Sequence, residues 1–303
     1  MYDITIIGAG VAGLTAAIYA RRANKKVLVL EEKVCGGQIV ETETIENYPA
    51  SPSISGPELA KNIYAQARSF NPDFEYDKVE KIEEETDGFK IITDFDEYKT
   101  KTIIVAVGTD YRHLNLENED ALIGHGVSFC ATCDGSLYKD KEVAVFGGGN
   151  SALYSALYLS NLAKKVTLIH RRNEFRADAA LVEKIKNKSN VEFELEKVVE
   201  KLNMENKSLS SITLKDVKNG EEKELKISAL FVEIGRVPTG NKIVENLVEL
   251  DEDGYIKAGE DGKTSNPRIF AAGDCRAKSL RQIVTAAADG ASSASSAINF
   301  LNQ

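Results

Sequence analysis

The chain has 303 residues, of which 43% are hydrophobic and 28% are charged, so its composition is that of a globular protein with about two domains. This composition excludes a disordered, collagen-like or coiled-coil chain. The formal net charge of −9 argues against nucleic-acid binding, which requires a cationic surface, and no apolar run approaches the ~20 residues of a membrane-spanning helix.

The first predicted elements form a strand–turn–helix–strand unit. A strand over residues 4–7 leads into the turn Gly8-Ala9-Gly10-Val11-Ala12-Gly13, a helix follows over 14–22, and a second strand over 27–30 ends beside Glu31. Neither a basic segment nor a cleavable apolar segment stands at the start of this sequence, so we expect a cytoplasmic protein.

The three glycines have the spacing of a dinucleotide-binding turn. Gly8 permits the tight turn, Gly10 lets a pyrophosphate approach the backbone, and Gly13 lets the helix pack close to the sheet. The N–H groups at the helix N-terminus then bind the diphosphate. Glu31 stands where the adenosine ribose lies, and a carboxylate there accepts hydrogen bonds from a free ribose diol and repels a 2′-phosphate. The first unit is therefore predicted to bind FAD or NAD.

Two cysteines lie close together in the segment Cys130-Ala131-Thr132-Cys133. Such a pair can form a small disulfide ring, and the motif lowers the pKa of a thiol enough to make it nucleophilic. A structural zinc site would need four ligands. The chain has no second Cys-x-x-Cys motif, and its three histidines are scattered along the sequence, so no metal is expected. Redox chemistry is favoured over zinc and over inert core cysteines, with Asp134 as the proton donor and acceptor. The isolated Cys35 and Cys275 are expected to be small buried hydrophobic residues.

A second strand–turn–helix–strand unit begins at Val143. Its strand ends at Phe146, the turn reads Gly147-Gly148-Gly149-Asn150-Ser151-Ala152, a helix extends to Leu162, and another strand spans 166–169. Gly147 and Gly149 take the roles of Gly8 and Gly10. With Asn150 and Ser151 at the helix start, they are predicted to bind a second diphosphate.

The end of this unit differs in charge from the first. His170 and Glu31 both lie 23 residues after the first glycine of their turns, so His170 takes the position in the second unit that Glu31 takes in the first. Four side chains here are predicted to act as cationic donors to a 2′-phosphate: His170, Arg171, Arg172 and Arg176. The second unit is therefore predicted to bind NADP(H).

Together, the two units predict an α/β protein with two Rossmann-like, three-layer dinucleotide-binding domains. In such a protein NADPH would supply a hydride, a flavin would accept it, and the cysteine pair would carry both electrons away.

The order of these motifs resembles that of the low-molecular-weight thioredoxin reductases, over essentially the whole chain. The resemblance rests on the two glycine turns, the cysteine pair, the arginine cluster, and the segments Gly36-Gly37-Gln38, Glu46-Asn47-Tyr48-Pro49, Ala271-Ala272-Gly273-Asp274 and Arg281-Gln282. It implies a discontinuous FAD domain made of residues 1–110 and 242–303, with an NADPH domain of residues 111–241 inserted between them.

The resemblance also implies roles for individual residues. Gln38 and Asn47 would bind FAD together with Glu31, and so would a second strip that starts with Asp274, at the start of the last helix, and continues with Arg281, Gln282 and Ile283. Cys133 would face the flavin, Cys130 would attack the disulfide of a thioredoxin-like protein, and Asp134 would be the acid and base. Members of this family are homodimers.

The second nucleotide turn departs from the family pattern. Many members have an acidic residue at the position of Asn150 and a Glu-Glu pair at the positions of Tyr154 and Ser155. A reductase that draws electrons from ferredoxin, with weak or no use of NADPH, is therefore an alternative, although the arginine cluster favours NADPH. A peroxiredoxin reductase and a flavoprotein that senses redox state without turnover are two further alternatives.

Overall fold

The computed structural model describes residues 1–42 and 45–303, which form two compact units. Unit 1 comprises Met1–Asp110 and Val237–Gln303, and unit 2 comprises Tyr111–Arg236. Unit 2 thus ends at Arg236 rather than at residue 241. Asn241 belongs to unit 1 because its Nδ2 donates hydrogen bonds to the carbonyl oxygens of Gly254, at 3.0 Å, and Cys275, at 2.7 Å.

The helices and strands follow in chain order. From the N-terminus to the boundary between unit 1 and unit 2 they are β1 (Tyr2–Ile7), α1 (Val11–Arg22), β2 (Val27–Glu31), α2 (Gly56–Arg68), β3 (Asp73–Tyr76), β4 (Val79–Glu85), β5 (Gly88–Thr93), β6 (Glu97–Val105) and β7 (Asp110–Tyr111). The next are α3 (Glu119–Leu122), β8 (Val127–Ser128), α4 (Ala131–Asp134), β9 (Glu142–Gly147), α5 (Asn150–Leu159), β10 (Lys165–His170), α6 (Ala179–Lys186), β11 (Val191–Leu195), β12 (Lys197–Glu205), β13 (Ser208–Asp216), β14 (Glu222–Lys226), β15 (Ala229–Glu233) and β16 (Arg236–Val237). The last are β17 (Ile269–Ala271) and α7 (Ile283–Leu301).

Unit 1 has a central parallel sheet in the order β3-β2-β1-β6-β17, and the antiparallel strands β5 and β4 continue it from β6. Successive side chains of a strand point to opposite faces, and a strand buried on both faces is apolar throughout. Ile6 of β1 accordingly packs in the core with α1 and α7, whereas Ile7 packs with Phe89 of β5. The first half of β6 pairs with β5 and its second half pairs with β17, so β5 and β4 leave the parallel sheet and cover its second face. The parallel sheet is therefore the middle of three layers.

Unit 2 repeats this plan with the parallel order β11-β10-β9-β15-β8 and a separate antiparallel sheet, β12-β13-β14. Val145 of β9 packs with Leu153 of α5 on one face, and Ala144 packs with Ile212 of β13 on the other. Two three-layer units with the same parallel order confirm the predicted fold class. None of the helices in the described residues is both long and apolar enough to span a lipid bilayer.

Candidate functional site

The turn between β1 and α1 has the space that a diphosphate needs. Gly8 has a φ of +102°, which L side chains rarely adopt, and a Cβ there would lie 2.4 Å from the carbonyl oxygen of Ala106. A Cβ at Gly13 would lie 1.8 Å from the carbonyl oxygen of Gly8, whereas a Cβ at Gly10 would meet no atom of the described residues within 4 Å. The two outer glycines are thus required by packing, and the middle one faces open space. This turn fits a dinucleotide diphosphate at the N-terminus of α1.

Glu31, the last residue of β2, is held beside this turn. Its Oε2 accepts a hydrogen bond of 2.6 Å from the backbone N–H of Ala9, and its Oε1 accepts one of 2.8 Å from the backbone N–H of Lys33. The carboxylate is therefore fixed at the end of the strand, where it suits the ribose diol of FAD.

Residues from both ends of the chain meet in unit 1. Gln38 donates through Nε2 to the carbonyl oxygen of Thr109 and, at 3.0 Å, to its hydroxyl. Asn47 donates to Oε1 of Gln282 at 2.9 Å, so two predicted FAD-binding segments 235 residues apart are in direct contact. Gln282 is the N-cap of α7, and Ile283 is its first residue.

The position of Asp274 differs from the prediction. We expected it at the start of the last helix, but it lies in the 3₁₀ turn Gly273–Cys275, and α7 begins only at Ile283. The helix starts there because the side chains of Gln282 and Thr285 form a capping box. Arg281 connects the two places, since its Nε donates to the carbonyl oxygen of Asp274 at 3.3 Å.

A buried carboxylate that the sequence analysis missed holds this segment in place. Both oxygens of Asp289 accept hydrogen bonds of 2.9 Å from the Arg276 guanidinium, and Oδ2 also accepts from Nζ of Lys278, at 2.8 Å, and from the backbone N–H of Gly273, at 3.0 Å. Burial opposes ionisation, but the hydrogen bonds from Arg276 and Lys278 outweigh it and lower the pKa of Asp289. Nothing in the sequence marks Asp289, because its partners lie 11 to 16 residues away.

The second glycine turn, in unit 2, has the same steric pattern. A Cβ at Gly147 would lie 2.2 Å from the carbonyl oxygen of Glu233, whereas a Cβ at Gly149 would have no neighbour within 4 Å in the part of the chain that the structure describes. Asn150 and Ser151 are the first two residues of α5, and both are exposed. This turn also fits a dinucleotide diphosphate.

The cationic cluster beside this turn consists of arginines alone. Arg171, Arg172 and Arg176 are exposed, and within the part of the chain that the structure describes their side chains form no ion pair or hydrogen bond. The prediction that His170 adds a fourth cation is wrong. Its ring is 8% exposed and lies against Gly148, and burial together with the neighbouring arginines lowers its pKa. His170 is therefore a neutral wall of the site.

Cys130 and Cys133 form a disulfide, as the spacing predicted. Cys130 is the N-cap of α4, half-buried, and Cys133 is exposed. Ser128, which the sequence analysis did not single out, connects the pair with Asp134: its hydroxyl donates to Oδ2 of Asp134 at 2.7 Å and accepts from the backbone N–H of Cys130 at 3.1 Å. The carboxylate is thereby held beside the pair, where protons must move during thiol–disulfide exchange.

Comparisons with known proteins agree with this geometry. The family model described as pyridine nucleotide-disulphide oxidoreductase matches residues 2–290. The chain belongs to this family. It is 40% identical to a thioredoxin reductase of Bacillus subtilis over 303 residues, which is 100% of this chain and 96% of that protein. It is 42% identical to a thioredoxin reductase of Treponema pallidum over 303 residues, 99% of this chain and 97% of that one.

Solved structures lead to the same family. The crystal structure of Lactococcus lactis thioredoxin reductase matches with a TM-score of 0.94 and 39% identity, covering 100% of this chain and 99% of that one. The T. acidophilum thioredoxin reductase matches with a TM-score of 0.89 and 35% identity, covering 98% of both chains. Family membership confirms the predicted resemblance and the FAD and NADPH cofactors.

The two free cysteines in the described residues differ from each other. Cys275 is fully buried and burial raises its pKa to about 12, which confirms an inert core residue. Cys35 is half-buried: it packs against the core of unit 1, as predicted, but its Sγ also lies 3.3 Å from the hydroxyl oxygen of Tyr76, so the prediction of a buried hydrophobic residue holds there only in part.

Proposed function

We propose that this protein is a thioredoxin-disulfide reductase, which passes two electrons from NADPH through FAD and the Cys130–Cys133 pair to the disulfide of a thioredoxin-like protein. The observation that carries the proposal is the disulfide of Cys130 and Cys133 in the same compact unit as a nucleotide turn. Beside that turn lie three exposed arginines that make no ion pair with any residue the structure describes. The relatives with that name support it.

Each cofactor is assigned to one unit. FAD binds unit 1, held by Gly8, Gly10, Gly13, Glu31, Gln38, Asn47, Asp274, Arg281, Gln282 and Ile283. NADPH binds unit 2, held by Gly147, Gly149, Asn150 and Ser151 at its diphosphate and by Arg171, Arg172 and Arg176 at its 2′-phosphate. FAD, when bound, supplies the two-electron centre between the nicotinamide and the cysteine pair.

The residues of the chain account for the thiol steps. The Cys130 thiolate attacks one sulfur of the partner's disulfide, and the other sulfur leaves as a thiolate that takes a proton from Asp134. Cys133 then gives its proton to the Asp134 carboxylate and attacks Sγ of Cys130, which re-forms the Cys130–Cys133 disulfide. The partner's second sulfur leaves as a thiolate and takes that proton from Asp134, so the partner is released as a dithiol. The partner gains two electrons and two protons, and the pair is oxidised by two electrons.

The donor is tested by adding NADPH, NADH or reduced ferredoxin to the purified yellow protein without oxygen. We expect NADPH to bleach the flavin absorbance and NADH to do so far less, because only NADPH carries the 2′-phosphate that the arginines suit. Bleaching by ferredoxin alone would contradict the proposed donor. Reduction of a thioredoxin disulfide by NADPH, followed through the new thiols, tests the acceptor.

The assembly and the compartment are part of the same proposal. A homodimer is implied by the family resemblance, and sedimentation equilibrium of the purified protein measures it. A cytoplasmic location fits the two free thiols, Cys35 and Cys275, because thiols stay reduced in that compartment.

A further inference from the structure

Asp178 stands at the N-cap position of α6, but its side chain makes no capping hydrogen bond with that helix. An N-cap aspartate ordinarily accepts from an N–H group in the first turn of its own helix. Here Oδ2 of Asp178 instead accepts from Nδ2 of Asn150 at 3.0 Å, and the backbone N–H of Asp178 donates to Oδ1 of Asn150 at 2.8 Å. Because Asn150 is the first residue of α5, two reciprocal hydrogen bonds join the starts of α5 and α6.

These two bonds hold one end of the segment that carries the arginine cluster. The segment leaves the sheet at His170, whose strand pairs with β11. Near its other end, the backbone N–H of Arg176 donates to the carbonyl oxygen of Gly148 at 2.7 Å, and two residues later Asp178 bonds to Asn150. The arginine segment is thus attached to the nucleotide turn at Gly148 and again at Asn150.

The pair also determines where a negative charge lies. The Asp178 carboxylate bonds to an amide, although Arg176 is only two residues away, and the three arginines keep their charges unpaired within the described residues. The amide of Asn150 both donates to the carboxylate and accepts from the N–H group, whereas an ionised carboxylate at position 150 could only accept. A carboxylate at position 150 would instead stand at hydrogen-bond distance from that of Asp178, and the two like charges would repel each other.

We propose that Asn150 and Asp178 are a positioning pair for the recognition of the 2′-phosphate of NADPH. Asn150 fixes the end of the arginine segment beside the nucleotide turn and keeps the Asp178 carboxylate away from the arginines. Besides the place of Asn150 at the diphosphate, the pair acts on the 2′-phosphate through the arginines, so it determines the preference for nucleotides that carry this group. This inference rests on the NADPH function proposed above.

The test is calorimetric titration of the oxidised, FAD-loaded protein with adenosine 2′,5′-bisphosphate and with adenosine 5′-monophosphate. We expect the wild type to prefer the bisphosphate and Asn150→Asp to bind it about tenfold more weakly, a factor that corresponds to ~1.4 kcal/mol. The variant should lose more affinity for the bisphosphate than for the monophosphate, because the pair positions the arginines that face the 2′-phosphate. The double variant Asn150→Asp/Asp178→Asn exchanges the amide and the carboxylate at constant net charge. It should return the bisphosphate affinity to within about twofold of the wild type.

Asn150→Ala adds no charge and is the second single variant, with an expected loss of about threefold from the missing hydrogen bonds. Circular dichroism reports whether each variant is folded, and where Asn150→Asp is not, Asn150→Ala decides. Unchanged bisphosphate affinity in the folded single variant overturns the inference, and so does equal impairment of Asn150→Asp and the double variant. A wild type that binds both nucleotides alike overturns the NADPH assignment itself, and the inference with it.

Discussion

Replacing Asp289 with asparagine should destabilise unit 1 and loosen its hold on FAD. The Asp289, Arg276 and Lys278 side chains are 7 to 11% exposed, so the variant leaves two buried cations without this carboxylate. Removing one partner of a buried ion pair costs about 3–5 kcal/mol. A domain of this size changes its Tm by about 2–4 °C for each kcal/mol, so we expect a Tm at least about 6 °C lower. The Gly273–Cys275 turn should loosen as well, so flavin fluorescence should appear at a lower temperature.

The loss should also depend on pH in a defined direction. The pKa of Asp289 is lowered from 3.8 in the folded protein, because the hydrogen bonds from Arg276 and Lys278 outweigh the effect of burial. A carboxyl group of this kind stabilises the protein above its unfolded pKa, and that stabilisation disappears as the pH falls through the folded pKa. The Tm difference between wild type and Asp289→Asn should therefore be constant at about pH 5–7 and shrink below about pH 4.

The matched control is Asp87→Asn, the same chemical change at an exposed residue of unit 1. Thermal unfolding followed by circular dichroism, together with flavin fluorescence, measures both variants. The reasoning is refuted if Asp289→Asn unfolds within about 2 °C of Asp87→Asn at pH 7, since a buried pair predicts several kcal/mol.

Three further predictions address the turn and the redox pair. Gly10→Ala fills open space and should lose FAD with little loss of stability, whereas Gly13→Ala, whose Cβ would meet a carbonyl oxygen at 1.8 Å, should lower the Tm. Flavin absorbance measures the bound FAD and thermal melts measure the stability of both variants, and the opposite pattern contradicts the steric argument. Cys133→Ser should abolish thioredoxin reduction while NADPH still bleaches the flavin, and retained thioredoxin turnover would rule out the dithiol step. Asp134→Asn should slow thioredoxin reduction about 100-fold or more at an almost unchanged Tm. Ser128→Ala removes a hydrogen bond to that carboxylate and should slow the reaction less. Equal rates in the wild type and both variants count against the proton role of Asp134.

Features set by neighbouring residues could be predicted from the sequence. The glycine turns, the strand before each and the helix after each depend on backbone space and apolar periodicity over about ten residues. The Cys130–Cys133 disulfide is likewise local, since its two partners are three residues apart. The repetition of one unit was enough to predict two domains of the same architecture, because each strand–helix–strand piece must bury its apolar faces.

Features that depend on distant partners or on burial could not be predicted. His170 was expected to be charged from its position beside two arginines, but its place against Gly148 in the core removes the water that would stabilise the charge. Asp274 was expected at the start of the last helix, but that helix begins only at Ile283, where Gln282 and Thr285 form a capping box.

The sequence by itself determined the family, the two nucleotide-binding units and the redox pair, because residues close together along the chain form each of these motifs. Only the tertiary structure decided which polar groups meet. It brings Asn47 to Gln282, Asn150 to Asp178 and Arg276 to Asp289. The physical reason is that a hydrogen bond forms wherever folding places a donor within about 3 Å of an acceptor, and the spacing of the residues along the chain does not encode that distance.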